Sequence, residues 1–138
     1  MKSFKEYLEQ DVLGIKEFIT FPKYPELGKV EAKIDTGNEA YNVLHGINIK
    51  DNGNEVTFMT IGDNEITLPK IDTIKIHIGS GVKEDRPVVI LDFILNGKEY
   101  KMFPFSIADR SENTEPVLLG EPFLRKTGSV VDPNKDSD

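Results

Sequence analysis

The sequence of 138 residues contains no cysteine and only two histidines, His45 and His77. Without cysteine, the chain has no disulfide, no thiol nucleophile and no thiolate metal ligand. Two histidines without an HExxH motif are too few for the usual zinc-hydrolase site, so we expect neither a metal nor another cofactor. Lysine and arginine total 17 against 24 aspartates and glutamates, which argues against partners that require a basic face, namely nucleic acid and anionic lipid.

Long hydrophobic runs are also missing. No apolar stretch approaches the roughly 20 residues that a membrane-spanning helix requires. The first ten residues carry too many charges for a signal peptide. With 38% hydrophobic and 30% charged residues, the composition is typical of a globular domain. We therefore expect one soluble, cytoplasmic domain with no membrane contact.

Short stretches rich in valine, isoleucine, threonine and phenylalanine recur along most of the chain, with turn residues between them. They predict strands over residues 15–21, 29–34, 43–49, 55–61, 65–68, 73–78, 88–95 and 100–108. Asn96-Gly97 is the strongest signal for a type I′ hairpin turn. Many short strands at this spacing predict an all-β sandwich or barrel.

The two ends of the chain differ from this pattern. Phe4, Tyr7 and Leu8 have helical spacing after a possible N-cap at Ser3, which predicts a short N-terminal helix within an extension over residues 1–12. The polar stretch 132–138 is expected to fray, and residues 134–138 are assigned to a polar tail.

Asp35-Thr36-Gly37 is the strongest candidate for a catalytic motif, because a predicted strand ends in it. A strand end delivers the carboxylate into a tight turn, where the threonine can hydrogen-bond back and the glycine lets the backbone come close. Alone, the tripeptide is a weak signal, because all three residues are ordinary turn formers.

A second motif lies far downstream, where the apolar run Val117-Leu118-Leu119-Gly120 predicts a buried strand. Pro122 near a first helical turn and Gly128 beyond its end predict a short helix directly after that strand. A strand ending in Asp-Thr-Gly, followed by an apolar strand that ends in glycine and enters a short helix, resembles the retropepsin-like aspartic proteases.

Further pieces occur in a matching order along the chain. They are residues 13–18, 32–37, 44–45, 86–89, 108–110, 116–120, 123–124 and 131–133. This ordered series resembles a bacterial retropepsin-like family often called "ATP-dependent zinc protease", found near ribosomal-protein glutamate ligases. The sequence has neither a P-loop nor a metal-ligand cluster that would support the zinc or the ATP of that label. The resemblance implies an acid-protease barrel over residues 13–133, in the cytoplasm of a bacterium or of a phage-infected cell.

The resemblance also implies the roles of particular residues. Asp35 is expected to activate water, Thr36, Gly37 and Asn38 to form the active-site loop, and Leu118, Leu119 and Gly120 to form the psi-loop beside it. A hairpin with its tip at Ile78, Gly79, Ser80 and Gly81 is expected to be the flap over a peptide or protein substrate. An ordinary surface hairpin is the other interpretation of that segment.

Peptide hydrolysis by this route needs two carboxylates around one water, of which one accepts a proton and the other donates one. The chain supplies a single Asp-Thr-Gly, so we expect a homodimer in which each subunit contributes Asp35.

Two departures from the family pattern leave a second function class open. Residues 38–42 are one residue longer than the family's loop and begin with Asn38 rather than alanine. Glu121 stands where the family commonly has an arginine that supports the loop. The sequence therefore predicts an aspartic endopeptidase-like hydrolase, with a catalytically inactive structural or peptide-binding module of the same fold as the alternative.

Overall fold

A computed structural model describes residues 12–79 and 81–135 as a chain dominated by β-strands. The helix predicted within the first ten residues lies outside the described residues, as do Ser80 of the predicted flap tip and residues 136–138 of the tail. The described strands are β1 Val12–Leu13, β2 Lys16–Thr20, β3 Val30–Asp35, β4 Asn42–His45, β5 Ile47–Asp51, β6 Glu55–Thr60, β7 Asn64–Pro69, β8 Asp72–Ile78, β9 Val82–Leu95, β10 Lys98–Ala108, β11 Val117–Gly120 and β12 Val130–Val131. Helix α1 spans Glu121–Thr127, and short 3-10 turns occur at Pro25–Leu27 and Ile61–Asp63. The all-β prediction is confirmed.

Six strands close into a barrel. Their order is β10-β4-β11-β3-β2-β9, and β9 pairs again with β10, which completes the ring. Strand β11 lies between β3 and β4, parallel to β3 and antiparallel to β4. The first half of β9 extends beyond the barrel and pairs with β8. The remaining strands form a three-stranded sheet, β5-β6-β7, and a two-stranded parallel pair, β1-β12.

The barrel interior is filled by alternate residues of these strands, as the period of two requires. Phe93 and Phe105 are fully buried, and Phe123 of α1 is 2% exposed. The Phe123 ring lies 5.3 Å from Phe93 and 5.1 Å from both Tyr100 and Phe103 in tilted or edge-on contacts. Such contacts add to area burial and fix the helix against the barrel.

The local turn signals are confirmed. Asn96 and Gly97 both have positive φ, 52° and 75°, as a type I′ turn between β9 and β10 requires. Pro122 occupies the first turn of α1, and Gly128 ends the helix in the left-handed conformation.

The single strand predicted over residues 43–49 is divided at Gly46 into β4 and β5. The Gly46 N–H donates to the Ala108 carbonyl at 3.0 Å, and a Cβ there would collide with the Ile107 and Phe58 side chains. Close packing forces the chain to leave the barrel at this glycine and to pair elsewhere.

The end of the chain is held in place as far as Lys135, so the prediction of fraying is wrong for residues 132–135. The Asp132 N–H donates to the Leu13 carbonyl at 2.7 Å. Lys135 Nζ lies 2.7 and 3.2 Å from the two carboxylate oxygens of Glu17, which is 2% exposed. A buried carboxylate needs such a partner, and here Lys135 provides it.

Candidate active site

Two strand ends place the two sequence motifs side by side. In the parallel register of β3 and β11, Gly120 lies opposite Asp35 and Leu118 opposite Lys33. Val117 and Leu119 point into the core, which leaves Leu118 and Gly120 on the outer face with Asp35. Leu118 joins Val43 and Ala108 in a small buried cluster on that face. Asp35 therefore lies on the same face of the sheet as this cluster.

The turn after β3 fixes the carboxylate of Asp35. The Gly37 N–H donates to Asp35 Oδ1 at 2.9 Å, and the Asn38 N–H donates to the Asp35 carbonyl at 3.3 Å. Within the described part of the chain, no hydrogen bond reaches Asp35 Oδ2 or the exposed Thr36 hydroxyl. One carboxylate oxygen is thus anchored, whereas the other is available to a water molecule.

The loop after Asp35 rests on the end of β11. A Cβ on Gly120 would lie only 3.0 Å from the Asn38 carbonyl oxygen and 3.1 Å from that of Ala40. The Gly120 N–H donates to the buried Asn42 Oδ1 at 2.9 Å, and the Glu121 N–H donates to the Asn38 carbonyl at 2.8 Å. Only glycine lets the loop lie this close to the strand.

The predicted flap is a hairpin of β8 and β9. Gly79 and Gly81 both have positive φ, 58° and 82°, which allows the tight reversal at its tip. Ile78 and Val82 beside the tip are 43% and 54% exposed. The structure places these apolar side chains on the surface of the isolated chain.

A cavity of about 320 Å³ separates the hairpin from the loop that follows Asp35. Ile74 and Ile76 of β8 line one side, and residues 39–41 with Pro122 line the other. The Tyr41 hydroxyl donates to Asp72 Oδ2 at 3.4 Å, a long contact between the loop and the base of the hairpin. The groove is wide enough for a side chain and lies next to the carboxylate loop.

Arg110 brings a positive charge near this face. Its backbone N–H donates to His45 Nδ1 at 2.9 Å, and its Nε donates to the Glu115 carbonyl at 2.9 Å. Burial lowers the pKa of Arg110 below its usual value, whereas the carboxylates of Glu115 and Asp35 raise it. Arginine keeps its charge in proteins, so Asp35 lies within the field of a cation.

Asp109 and its neighbour Arg110 form no ion pair with each other in the described part of the chain. Asp109 accepts hydrogen bonds from the Ser111 N–H and hydroxyl instead, and these lower its pKa.

The charge reversal at Glu121 is accommodated within α1. Glu121 pairs with Arg125 one turn later, so its carboxylate does not face the loop unpaired. Sequence reasoning missed the bond from Gly120 to Asn42, because nothing in the local pattern connects residues so far apart.

Within residues 12–79 and 81–135, no group of three or more acidic, histidine or cysteine side chains is placed to hold a metal ion. In the same part of the chain, every helix is too short or too polar to cross a membrane.

Comparison with known proteins found one matching family model and a solved structure with a similar fold. The family model of the RimB-like proteins, described as retropepsin-like aspartic endopeptidase RimB, matches residues 12–137. No curated protein matches the sequence significantly. Among solved structures, the chain is similar to Lpg0085, a protein of unknown function from Legionella pneumophila. The TM-score is 0.73 and the sequences are 26% identical, over 92% of this chain and 96% of that chain.

Proposed function

The chain belongs to the RimB-like family of retropepsin-like aspartic endopeptidases, and on that basis we propose that it hydrolyses peptide or isopeptide-like amide bonds. Asp35 is the catalytic residue of this proposal. The observation that carries it is the register that sets Asp35 beside Gly120, with the carboxylate anchored through one oxygen only.

The proposed chemistry uses two carboxyl groups around one water. The ionised Asp35 accepts a proton from the water, whose oxygen attacks the carbonyl carbon of the scissile amide. The protonated Asp35 of the partner subunit donates its proton to the carbonyl oxygen. When the tetrahedral intermediate collapses, the C–N bond breaks and the leaving nitrogen takes a proton from the carboxyl group that accepted the one from water. One hydroxyl of the intermediate gives its proton to the partner subunit's Asp35, which re-forms the carbonyl of the product acid and restores the shared proton of the pair.

The mechanism requires a homodimer, because it uses two aspartate carboxylates and each chain has one Asp-Thr-Gly motif. The sequence holds one Asp-Thr-Gly and no Asp-Ser-Gly, so an internal duplicate of the motif is absent. A two-fold axis beside Asp35 would bring the two side chains to one water. The exposed Ile78 and Val82 would then lie over the substrate, with the groove along β8 holding the residues that flank the scissile bond.

Cleavage of a peptide mixture by wild type and by Asp35→Asn, from acid to neutral pH, tests the catalytic role of Asp35. We expect cleavage by wild type and none by Asp35→Asn, because an amide cannot accept the proton of water. Equal residual cleavage by both proteins would remove Asp35 from the mechanism.

Subunit mixing tests the shared site separately. If each site needs two Asp35 carboxylates, random exchange with an equal amount of Asp35→Asn leaves about a quarter of the dimers active. Sites that each use the carboxylate of one chain only would leave about half of the activity shown by the same total amount of wild-type protein. Sedimentation at several salt concentrations gives the oligomeric state, and association should strengthen with salt because each chain carries a net charge of −7. A monomer that binds peptides without cleaving them would instead be the inactive binding module.

A further inference from the structure

Both departures from the family pattern meet at one point of the structure. The lengthened loop 38–42 and Glu121 contact each other through backbone groups, since the Glu121 N–H donates to the Asn38 carbonyl at 2.8 Å. The contact does not involve the Glu121 carboxylate, which pairs with Arg125. Support for the loop therefore does not depend on the sign of the side-chain charge at position 121.

Asn42 supplies the second contact between the loop and β11. Its side chain belongs to a residue that is only 3% exposed, and its Oδ1 accepts the Gly120 N–H at 2.9 Å. This donor belongs to the residue that lies opposite Asp35 in the parallel register. Without the Asn42 side chain the buried Gly120 N–H would have no hydrogen-bond acceptor, which is unfavourable.

The loop itself is stiffened by Asn38. Its Oδ1 accepts the Ala40 N–H at 3.0 Å, and its Nδ2 donates to the Tyr41 carbonyl at 3.4 Å. The segment between Asp35 and Asn42 thus closes on itself and is attached to β11 at both ends. Because these hydrogen bonds constrain the loop at both ends and within it, we expect a displacement of Asn42 to move the Asp35 carboxylate as well.

We propose that Asn42 is a positioning residue for the hydrolysis assigned above: its side-chain amide holds the end of β11 against the active-site loop and so fixes the position of Asp35. This inference rests on the proposed function, and the experiment below separates the two.

The test compares Asn42→Leu, which removes the acceptor at similar volume, with Asn42→Asp, which keeps it. Thr60→Val is the matched control, since Thr60 is 4% exposed and its hydroxyl donates to the His45 carbonyl at 2.7 Å away from the loop. Cleavage of one peptide that wild type cleaves in the peptide mixture, the melting temperature and amide exchange at Gly120 are measured for all three variants and for wild type.

We expect kcat of Asn42→Leu to fall about 10- to 100-fold with little change in KM, because the carboxylate is displaced from its productive geometry. Exchange of the Gly120 amide should accelerate at least about tenfold as its hydrogen bond is lost. Asn42→Asp should keep kcat within about threefold at its optimum, with a pH profile moved upward by the added negative charge. Thr60→Val should lose stability without losing kcat.

Each outcome has a defined consequence. Unchanged exchange at Gly120 in Asn42→Leu would overturn the hydrogen bond itself, and faster exchange with unchanged kcat would overturn the positioning role. If Asn42→Leu fails to fold, Asn42→Ala, which also lacks an acceptor, takes its place with the same expectations. A wild type that cleaves nothing would overturn the proposed function, whereas the exchange result would still decide whether Asn42 holds β11.

Discussion

Lys135→Met is the most informative test of how the chain end supports the barrel. The substitution keeps most of the apolar stem of the side chain and removes the ammonium group that lies 2.7 and 3.2 Å from the Glu17 oxygens. Glu17 is 2% exposed, so its carboxylate would be left without its cation in a nearly dry position. Removing one partner of a buried ion pair typically costs about 3–5 kcal/mol.

The expected magnitude is smaller here, because the Lys135 side chain is 30% exposed and water can reach the vacated position. We therefore expect Lys135→Met to lower the free energy of unfolding by about 1–3 kcal/mol. For a domain of this size, that corresponds to a fall of about 3–15 °C in Tm. The double variant Glu17→Met with Lys135→Met should recover most of the loss, because it leaves no charge buried.

Urea unfolding followed by circular dichroism measures these differences. Lys101→Met serves as the control, since Lys101 and its partner Glu99 are 70% and 41% exposed and their pair should contribute less than about 1 kcal/mol. If Lys135→Met unfolds at the same urea concentration as wild type, or if the double variant is less stable than the single one, the assigned role of the chain end is refuted.

Two further predictions concern Asp92 and Gly120. The Met102 N–H at 2.7 Å and then Lys23 lower the pKa of Asp92, so its stabilising contribution is complete above pH of about 4 and is lost as the pH falls through the lowered value. Asp92→Asn should therefore flatten the acid side of the stability profile, measured by urea unfolding at several pH values, and an unchanged slope would contradict this assignment. Gly120→Ala places a Cβ about 3 Å from the Asn38 and Ala40 carbonyl oxygens and should destabilise the fold by about 1–3 kcal/mol. A melting temperature equal to that of wild type would contradict this prediction, because it would show that the loop 38–42 can move away from the added Cβ without loss of stability.

Features that depend on neighbours in sequence were predictable. The turn at Asn96-Gly97, the first turn of α1 with Pro122 and the end of α1 at Gly128 follow from intrinsic backbone preferences. The two short motifs around Asp35 and Gly120 were identified from their order along the chain, which resembles that of a known family, whereas the pairing of Asp35 with Gly120 comes from the structure.

Features that depend on distant contacts were not predictable in the same way. Local periodicity gives no sign that Asn42 accepts a hydrogen bond from a residue 78 positions away, or that Lys135 reaches Glu17 118 positions away. The division of one predicted strand at Gly46 has a similar origin, because it results from packing against Ile107 and Phe58. Only the closed barrel brings these groups together.

The insertion of β11 between β3 and β4 has a consequence for folding. The two outer strands of this triplet come from residues 30–35 and 42–45, whereas the central one comes from residues 117–120, far downstream of both. Contacts of such long sequence separation slow folding, since loop closure must precede the gain from pairing. During synthesis, Asp35 therefore emerges long before the glycine that completes its surroundings. A nascent chain cannot assemble the proposed catalytic centre until residues 117–120 have been translated as well.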